Sequence, residues 1–346
     1  MNSDIVLWLV QDGITNGAIY GLLALGLLMV FAVTRIIFIP QGEFISYAAL
    51  SLALLQAGKL PGTVFVLVGG GVVAAVFDIA LAVREKALGR LPRILAIYVV
   101  LPLAMAAIAW WAAPRKLDLW LQVLIVLGLV VPLGPILYRV AYQPLANASV
   151  LVLFIISMAA HYVLTGLGLV FFGGDGLRCA PFSEAKFQWG VLNITAQSLW
   201  VVFASFALMV GLWAFFERSI YGKALRATAV NRTGARLVGI PTELAGSLSL
   251  LLAAFIGAVS GILIAPITTI YYDTGFLIGL KGFVGAILGG MASYPLAVLG
   301  AVGVGLLESF SSFWASNMKE AIVFTIIIPV LVWRSLASHH VEEEEE

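Results

Sequence analysis

Charged side chains are scarce in this chain, and the few that interrupt its apolar stretches are its best candidates for chemistry. Glu43, Asp78, His161, Lys281 and Glu308 lie inside or at the edge of long apolar runs. An ionisable group at membrane depth is costly, so it usually faces a bundle interior or an aqueous path. Lys281 and Glu308 have the charges to pair across a bundle, although their spacing does not show that they do. Glu43 closes the stretch Phe38-Ile39-Pro40-Gln41-Gly42-Glu43, where Pro40 and Gly42 break a helix. That pattern predicts a discontinuous element, and broken helices at membrane depth often line substrate paths. Phe38, Gln41, Gly42, Glu43, His161, Lys281 and Glu308 are therefore the candidate pathway residues. Two of them carry a second reading: Glu43 sitting in headgroup water, and His161 being structural.

The second candidate is a polar island at 217–243, ERSIYGKALRATAVNRTGARLVGIPTE, between two long apolar runs. Arg218, Lys223, Arg226, Arg232 and Arg236 stand against two acids at its ends. Short, strongly basic loops stay in the cytoplasm, so this loop sets the orientation. Leu225, Ala229 and residues 237–240, including Gly239 and Ile240, supply apolar anchors. A short amphipathic helix fits, either docked on a cytoplasmic partner or held at the lipid headgroups.

Other chemistries lack their residues. There is no GxxxxGK[ST] phosphate cradle, no HExxH and no GxSxG. Two of the three histidines lie in the tail, which excludes a histidine-rich metal site, and Cys179 is the only cysteine. The net charge of +1 carries no signal for nucleic acid. The chain reads as a non-enzymatic protein with no metal site.

The elements that must position these residues are membrane helices. Hydrophobic residues make up 62% of the 346 and charged ones 11%, with mean hydropathy +1.07. A soluble domain is nearer half apolar and a quarter charged. The runs are continuous rather than alternating, which argues for helices over a β-barrel. Eleven apolar runs give an all-α polytopic fold of about nine to eleven spans, with the N-terminus outside and the C-terminus cytoplasmic. Most of the nineteen lysines and arginines then fall on the inner side. Residues 1–337 read as one transmembrane domain, and 338–346 as a disordered acidic tail. Glycine spacings at Gly17 and Gly21, at Gly257 and Gly261, and at Gly282, Ala286 and Gly290 are packing seams first.

Four stretches carry a resemblance: NGAIYGLLALGLLMVFAVTRIIF at 16–38, YRVAYQPL at 138–145, ERSIYGKALRATAVNRTGARLVGI at 217–240, and GFLIGLKGFVGAILGGMASYPLAVLGAVGVGLLES at 275–309 with KEAIVFTIIIPVLVWR after it. The chain resembles the LivH-like permease subunits of the branched-chain (hydrophobic) amino-acid ABC importers. The resemblance implies a multi-pass protein of the bacterial inner membrane, paired with a LivM-like paralogue. It also implies two cytoplasmic ATPases that bind ATP and Mg, and a periplasmic solute-binding protein that would meet the loop at 173–195. No cofactor is implied on this chain itself. The basic loop would be the coupling element, with Arg218, Lys223, Arg226, Arg232, Arg236 and Gly239 in it. Arg226, Arg232 and Arg236 would meet acids on an ATPase, and Leu225 and Ile240 would give apolar contact.

Two departures stand out. Where the family typically reads RxINFAHGE, this chain has Phe38 and Gln41 at the asparagine and histidine positions, keeping Gly42 and Glu43. If that turn touches solute, the solute is other than leucine, isoleucine or valine, such as an aromatic or carboxylic compound. Residues 84–135 form an atypical basic loop and apolar hairpin with Trp110, Trp111 and Trp120, expected to be peripheral, lipid-facing and outside the pore. The competing readings are a family member for another solute (aromatic acid, urea, amide or sugar), an ion-coupled secondary transporter using Glu43, Asp78, Lys281 or Glu308, and a non-transporting scaffold.

Overall fold

The structure is a computed structural model that describes residues 3–337 except Lys116, Asn147, Gly190, Val191 and Ala292. The expected acidic tail at 338–346 lies outside the described residues. In chain order the helices are α1 (Ser3–Thr34), α2 (Gln41–Gln56), α3 (Thr63–Arg84), α4 (Leu88–Ala112), α5 (Leu119–Leu145) and α6 (Val150–Phe172). An antiparallel hairpin, β1 (Lys186–Trp189) and β2 (Leu192–Thr195), precedes α7 (Ala196–Arg218). Then come α8 (Ile220–Val230), α9 (Arg232–Leu237), α10 (Thr242–Ile264), α11 (Thr274–Leu288), α12 (Tyr294–Trp314) and α13 (Ser316–Trp333).

Among the described residues nine helices are long and apolar enough to cross a membrane. Two of the eleven apolar runs fall short of that: α2 has 16 residues and α11 has 15. At about 1.5 Å per residue each covers roughly 24 Å, less than a hydrocarbon core of about 30 Å. These short helices sit inside the bundle. α2 is buried along almost its whole length, enclosed by α5, α10 and α11.

Glycine explains how α1 becomes the spine. Gly13, Gly17 and Gly21 lie against Leu306, Val302 and Val298 of α12, so the two helices run antiparallel with their backbones almost touching. Without a hydrophobic drive inside lipid, such close van der Waals packing is what associates helices. Gly257 and Gly261 make the same kind of seam against Phe44 and Ile45, and Gly282 against Leu23. Gly290 lies in the turn after α11 at φ 78, a left-handed conformation that glycine adopts without steric cost.

The 84–135 region divides into two parts. α4 has only 11% of its spanning window buried, and Trp110 and Trp111 stand on the outside of the bundle. This half is peripheral, as expected. The returning helix α5 is not: Val126, Leu129 and Val130 are fully buried, and α5 packs on α2 and α10. The whole-hairpin expectation is corrected there, because every third or fourth residue of α5 turns an apolar side chain into the core. Both helices carry a π-helical turn, at Ala96–Val100 and at Tyr138–Tyr142. The second falls in the YRVAYQPL segment, where Pro135 and Pro144 flank it.

Candidate functional site

The break after α1 is built as the Pro40–Gly42 pattern predicts. Residues 35–40 leave the helix and fold back along it. Gln41 Nε2 then donates to the Leu23 carbonyl at 3.3 Å, roughly 16 Å back from the end of α1 at about 1.5 Å per residue. α2 therefore starts at depth, from a re-entrant segment. Such irregular backbone is tolerated in a membrane only where protein encloses it. Phe38 is wholly buried, its ring 5.9 Å from that of Phe44 and 6.1 Å from that of Tyr142. Gln41 is equally enclosed, and its Oε1 has no hydrogen-bond partner among the described residues.

Glu43, in the first turn of α2, is 1% exposed. The headgroup-water reading is thereby overturned: the re-entrant segment carries the side chain inward instead. His161 Nδ1 of α6 lies 2.5 Å from Glu43 Oε1, and Thr165 Oγ1 lies 3.5 Å from it. The His161 ring stacks on Phe276 of α11 with centroids 4.2 Å apart. Glu43 Oε2 is buried without a hydrogen-bond partner among the described residues. A buried carboxylate oxygen in that state is costly.

The starts of α2 and α11 meet beside this acid. A Cβ on Gly42 would strike the Gly275 carbonyl, and one on Gly275 would strike that of Gly42. Ser46 Oγ accepts from the Gly275 amide at 2.8 Å and donates to the Tyr271 carbonyl at 3.2 Å. The two short helices thus cross glycine on glycine, with a hydroxyl satisfying the exposed first turn of α11.

A second buried charge cluster lies further along α11. Lys281 Nζ is 2.5 Å from Glu308 Oε1 of α12 and 3.1 Å from Glu320 Oε1 of α13. Tyr20 of α1 donates to the other oxygen, Glu308 Oε2, at 2.5 Å. The sequence named Lys281 and Glu308 without pairing them, and it missed Glu320 and Tyr20. Glu320 had only its place at the start of the last apolar run as a signal. Asp78 also has a partner that spacing did not reveal, in an ion pair with Arg139 of the π-helical turn. Among the described residues no group of three or more His, Cys, Asp or Glu is placed to hold a metal ion.

The basic segment folds into two short helices, α8 and α9, that pack against α7 and α10. Ser219 Oγ accepts from the Gly222 amide and Asn231 Oδ1 from the Gly234 amide, both at 2.8 Å, so each helix has its own N-cap. Leu225 is 1% exposed, packed with Val33 and Ala245. It anchors α8 to the bundle, which corrects its placement in an outward contact. Ile240 is half-buried and Gly239 is a turn at φ 85. The apolar residues on the outside are Ile220, Val230, Leu237 and Val238, each 76–84% exposed.

The arginines have partners within the chain. Arg226 Nη2 donates to Glu217 Oε2 and to the Phe216 carbonyl, each at 2.7 Å. Arg232 Nη1 reaches the Ala146 carbonyl at 3.0 Å, and Arg236 Nε reaches Thr242 Oγ1 at 2.9 Å. Arg218 and Lys223 lie on the exposed surface of the segment. On the other face of the bundle, Arg178 donates to the carbonyls of Pro266 and Ile267. Nearby Cys179 is buried, which pushes its thiol up to about 12 and away from reactive thiolate.

A multi-pass helical bundle with a re-entrant break, buried ionisable pairs and a projecting helical loop defines a membrane permease. Residues 94–331 match the family described as branched-chain amino acid transport system / permease component. The chain belongs to that family and is a multi-pass protein of the bacterial inner membrane. It is 25% identical over 333 residues to the high-affinity branched-chain amino acid transport system permease protein LivH of Escherichia coli (strain K12), covering 93% of this chain and 91% of that protein. It is 28% identical over 203 residues to BraD of Pseudomonas aeruginosa, a permease protein of the same kind of system, covering 57% and 66%. The probable branched-chain amino acid transport permease protein LivH of Methanocaldococcus jannaschii is 29% identical over 203 residues, covering 57% and 64%.

Proposed function

We propose that this chain forms one half of the translocation path of an ATP-binding-cassette importer. Its cargo is a branched-chain or other hydrophobic amino acid, or a related small carboxylate, handed over by a periplasmic binding protein. A LivM-like paralogue supplies the other half and two ATPases bind ATP and Mg beneath. The N-terminus lies outside and the C-terminus in the cytoplasm.

The observation that carries this reading is the surface of the 217–243 segment. Four large apolar side chains stand almost fully exposed among cations, at the polar end of the bundle, on capped helices that the buried Leu225 ties to α1 and α10. A partner protein groove suits such a mixed surface of cations and exposed apolar side chains. Residues Ile220, Val230, Leu237 and Val238 enter that groove, with Arg218 and Lys223 as the charges free to meet its acids.

On the same reading Glu43, His161, Thr165 and Phe276 border the solute path, where α2 and α11 begin. Phe38 and Gln41 are sealed in protein in this conformation, so they influence selectivity by shaping the re-entrant turn. Import of an aromatic acid, urea, an amide or a sugar is the second reading, and it rests on those two positions. An ion-coupled secondary transporter is disfavoured, since Asp78, Lys281 and Glu308 are each tied into an ion pair.

The test is ATPase activity of the complex co-purified from its host and reconstituted in lipid, with and without its binding protein, over a panel of solutes. Stimulation by leucine, isoleucine or valine is expected. Stimulation only by an aromatic or carboxylate solute establishes the second reading, and failure of any ATPase to co-purify overturns the importer assignment.

A further inference from the structure

The bundle leaves a groove between α1 and α7 that transport chemistry does not use. The two helices touch where a Cβ on Gly21 would lie 3.0 Å from the terminal methyl of Met209. Toward the 217–243 segment they diverge, leaving a cavity of about 360 Å3. Leu25, Met29 and Val33 wall one side, Leu212 and Phe216 the other. Every group below the rim is hydrocarbon, thioether or aromatic ring.

The shape is specific. From Leu25 to Val33 the wall runs roughly 12 Å at about 1.5 Å per residue, parallel to the helix axes. α7 has only 11% of its spanning window buried, so the groove lies on a lipid-facing side of the bundle. Trp213 and Tyr294 line it while standing 62% and 41% exposed, and such aromatic residues prefer the membrane–water interface.

The rim is charged. Glu217 and Arg226 both border the cavity, joined by their 2.7 Å contact. One cation and one acid thus stand paired at the mouth of an apolar slot.

We propose that this groove is a lipid site: one acyl chain of a bilayer glycerophospholipid fills the slot, and its phosphate rests on Arg226. Arginine pairs with phosphate through two parallel hydrogen bonds. Because α8 roofs the cavity through Leu225, Arg226 and Ala229, the bound lipid braces the segment that carries the exposed apolar residues.

Photo-cross-linking of the full complex tests this in vesicles of phosphatidylglycerol and phosphatidylethanolamine, using either lipid with a diazirine at the end of an acyl chain. Cross-links are expected to concentrate on the peptides holding 25–33 and 209–216, above equally lipid-facing positions of α6 such as Ile155 and Val163. Leu212→Trp, which fills the slot, is expected to abolish them. Arg226→Gln, which leaves the slot intact, is expected to weaken retention at least about tenfold, through loss of the charge-assisted hydrogen bonds to the phosphate, as read by native mass spectrometry. Equal retention of both lipids identifies the phosphate as the recognised group, and retention of phosphatidylglycerol alone adds its net charge. Cross-links spread evenly over all lipid-facing helices, groove peptides joined to a partner protein, or retention unchanged in both variants would each overturn the proposal.

Discussion

Two buried glutamates, Glu43 and Glu308, sit on opposite sides of α11 and are treated differently by the fold. Glu308 has both oxygens engaged, one by Lys281 and one by Tyr20. Its partners come from α1 and α11, with Lys281 also reaching Glu320 of α13. The cluster therefore pins together the elements around α11. Glu43 has one oxygen against His161 and Thr165 and leaves the other unpartnered. Burial without full satisfaction is costly and calls for an explanation such as a functional role, and the Lys281 cluster carries one such atom too, Glu320 Oε2. On the proposed reading the Glu308 cluster holds the fold and the Glu43 cluster borders the solute path.

The contrast breaks most visibly at Lys281. Lys281→Met leaves Glu308 buried and uncompensated, and removing one partner of a buried pair costs about 3–5 kcal/mol. The purified protein should unfold at clearly lower temperature or denaturant, while the Lys281→Met/Glu308→Leu double variant recovers much of the loss. A wild-type unfolding midpoint for Lys281→Met would remove the holding role.

Leu225→Ala should come next, at about 2–5 kcal/mol for a truncated buried leucine. Leu237→Ala, on the same segment but exposed, should leave stability unchanged and lower ATPase coupling instead. Equal unfolding profiles for the two would show that Leu225 is not an anchor.

Glu43→Gln should have a small effect on stability, within about 1.5 kcal/mol, because it exchanges an under-satisfied carboxylate for a neutral amide of the same shape. Loss of global stability comparable to that of Lys281→Met would place Glu43 in the holding class.

The smallest effect concerns Cys179. With its thiol held near 12, it stays protonated through neutral pH. Alkylation of the folded protein should be slow at pH 8 and speed up only as the pH approaches the thiol's own value. Labelling at the rate of a free cysteine would show that the loop it lies in opens.

Much of the fold was legible in the residues. The apolar runs gave the helices, Pro40 and Gly42 gave the break, and the glycine spacings marked close-packing faces without naming which helix each would meet. The depth of the break was not legible, because nothing local says that residues 35–40 turn back along α1. Partners more than a hundred positions apart, such as Glu43 and His161, depend on which helices become neighbours. Leu225 was misplaced because an amphipathic helix shows an apolar face without saying which surface takes it. Glu320 carried no signal of its own, and only the packing of α13 on α11 brings it to Lys281. The outer half of the 84–135 hairpin was read correctly from its tryptophans, whereas α5, equally apolar, turned out to be core.

The most direct measurement is solute uptake into vesicles holding the reconstituted complex, compared for wild type, Glu43→Gln and a stability-matched variant outside the Glu43 cluster. The account predicts uptake by Glu43→Gln reduced at least about tenfold, equivalent to about 1.4 kcal/mol, with an unfolding midpoint close to wild type. Uptake at the wild-type rate, or uptake lost only in proportion to lost folding, would contradict the division of labour between the two acids.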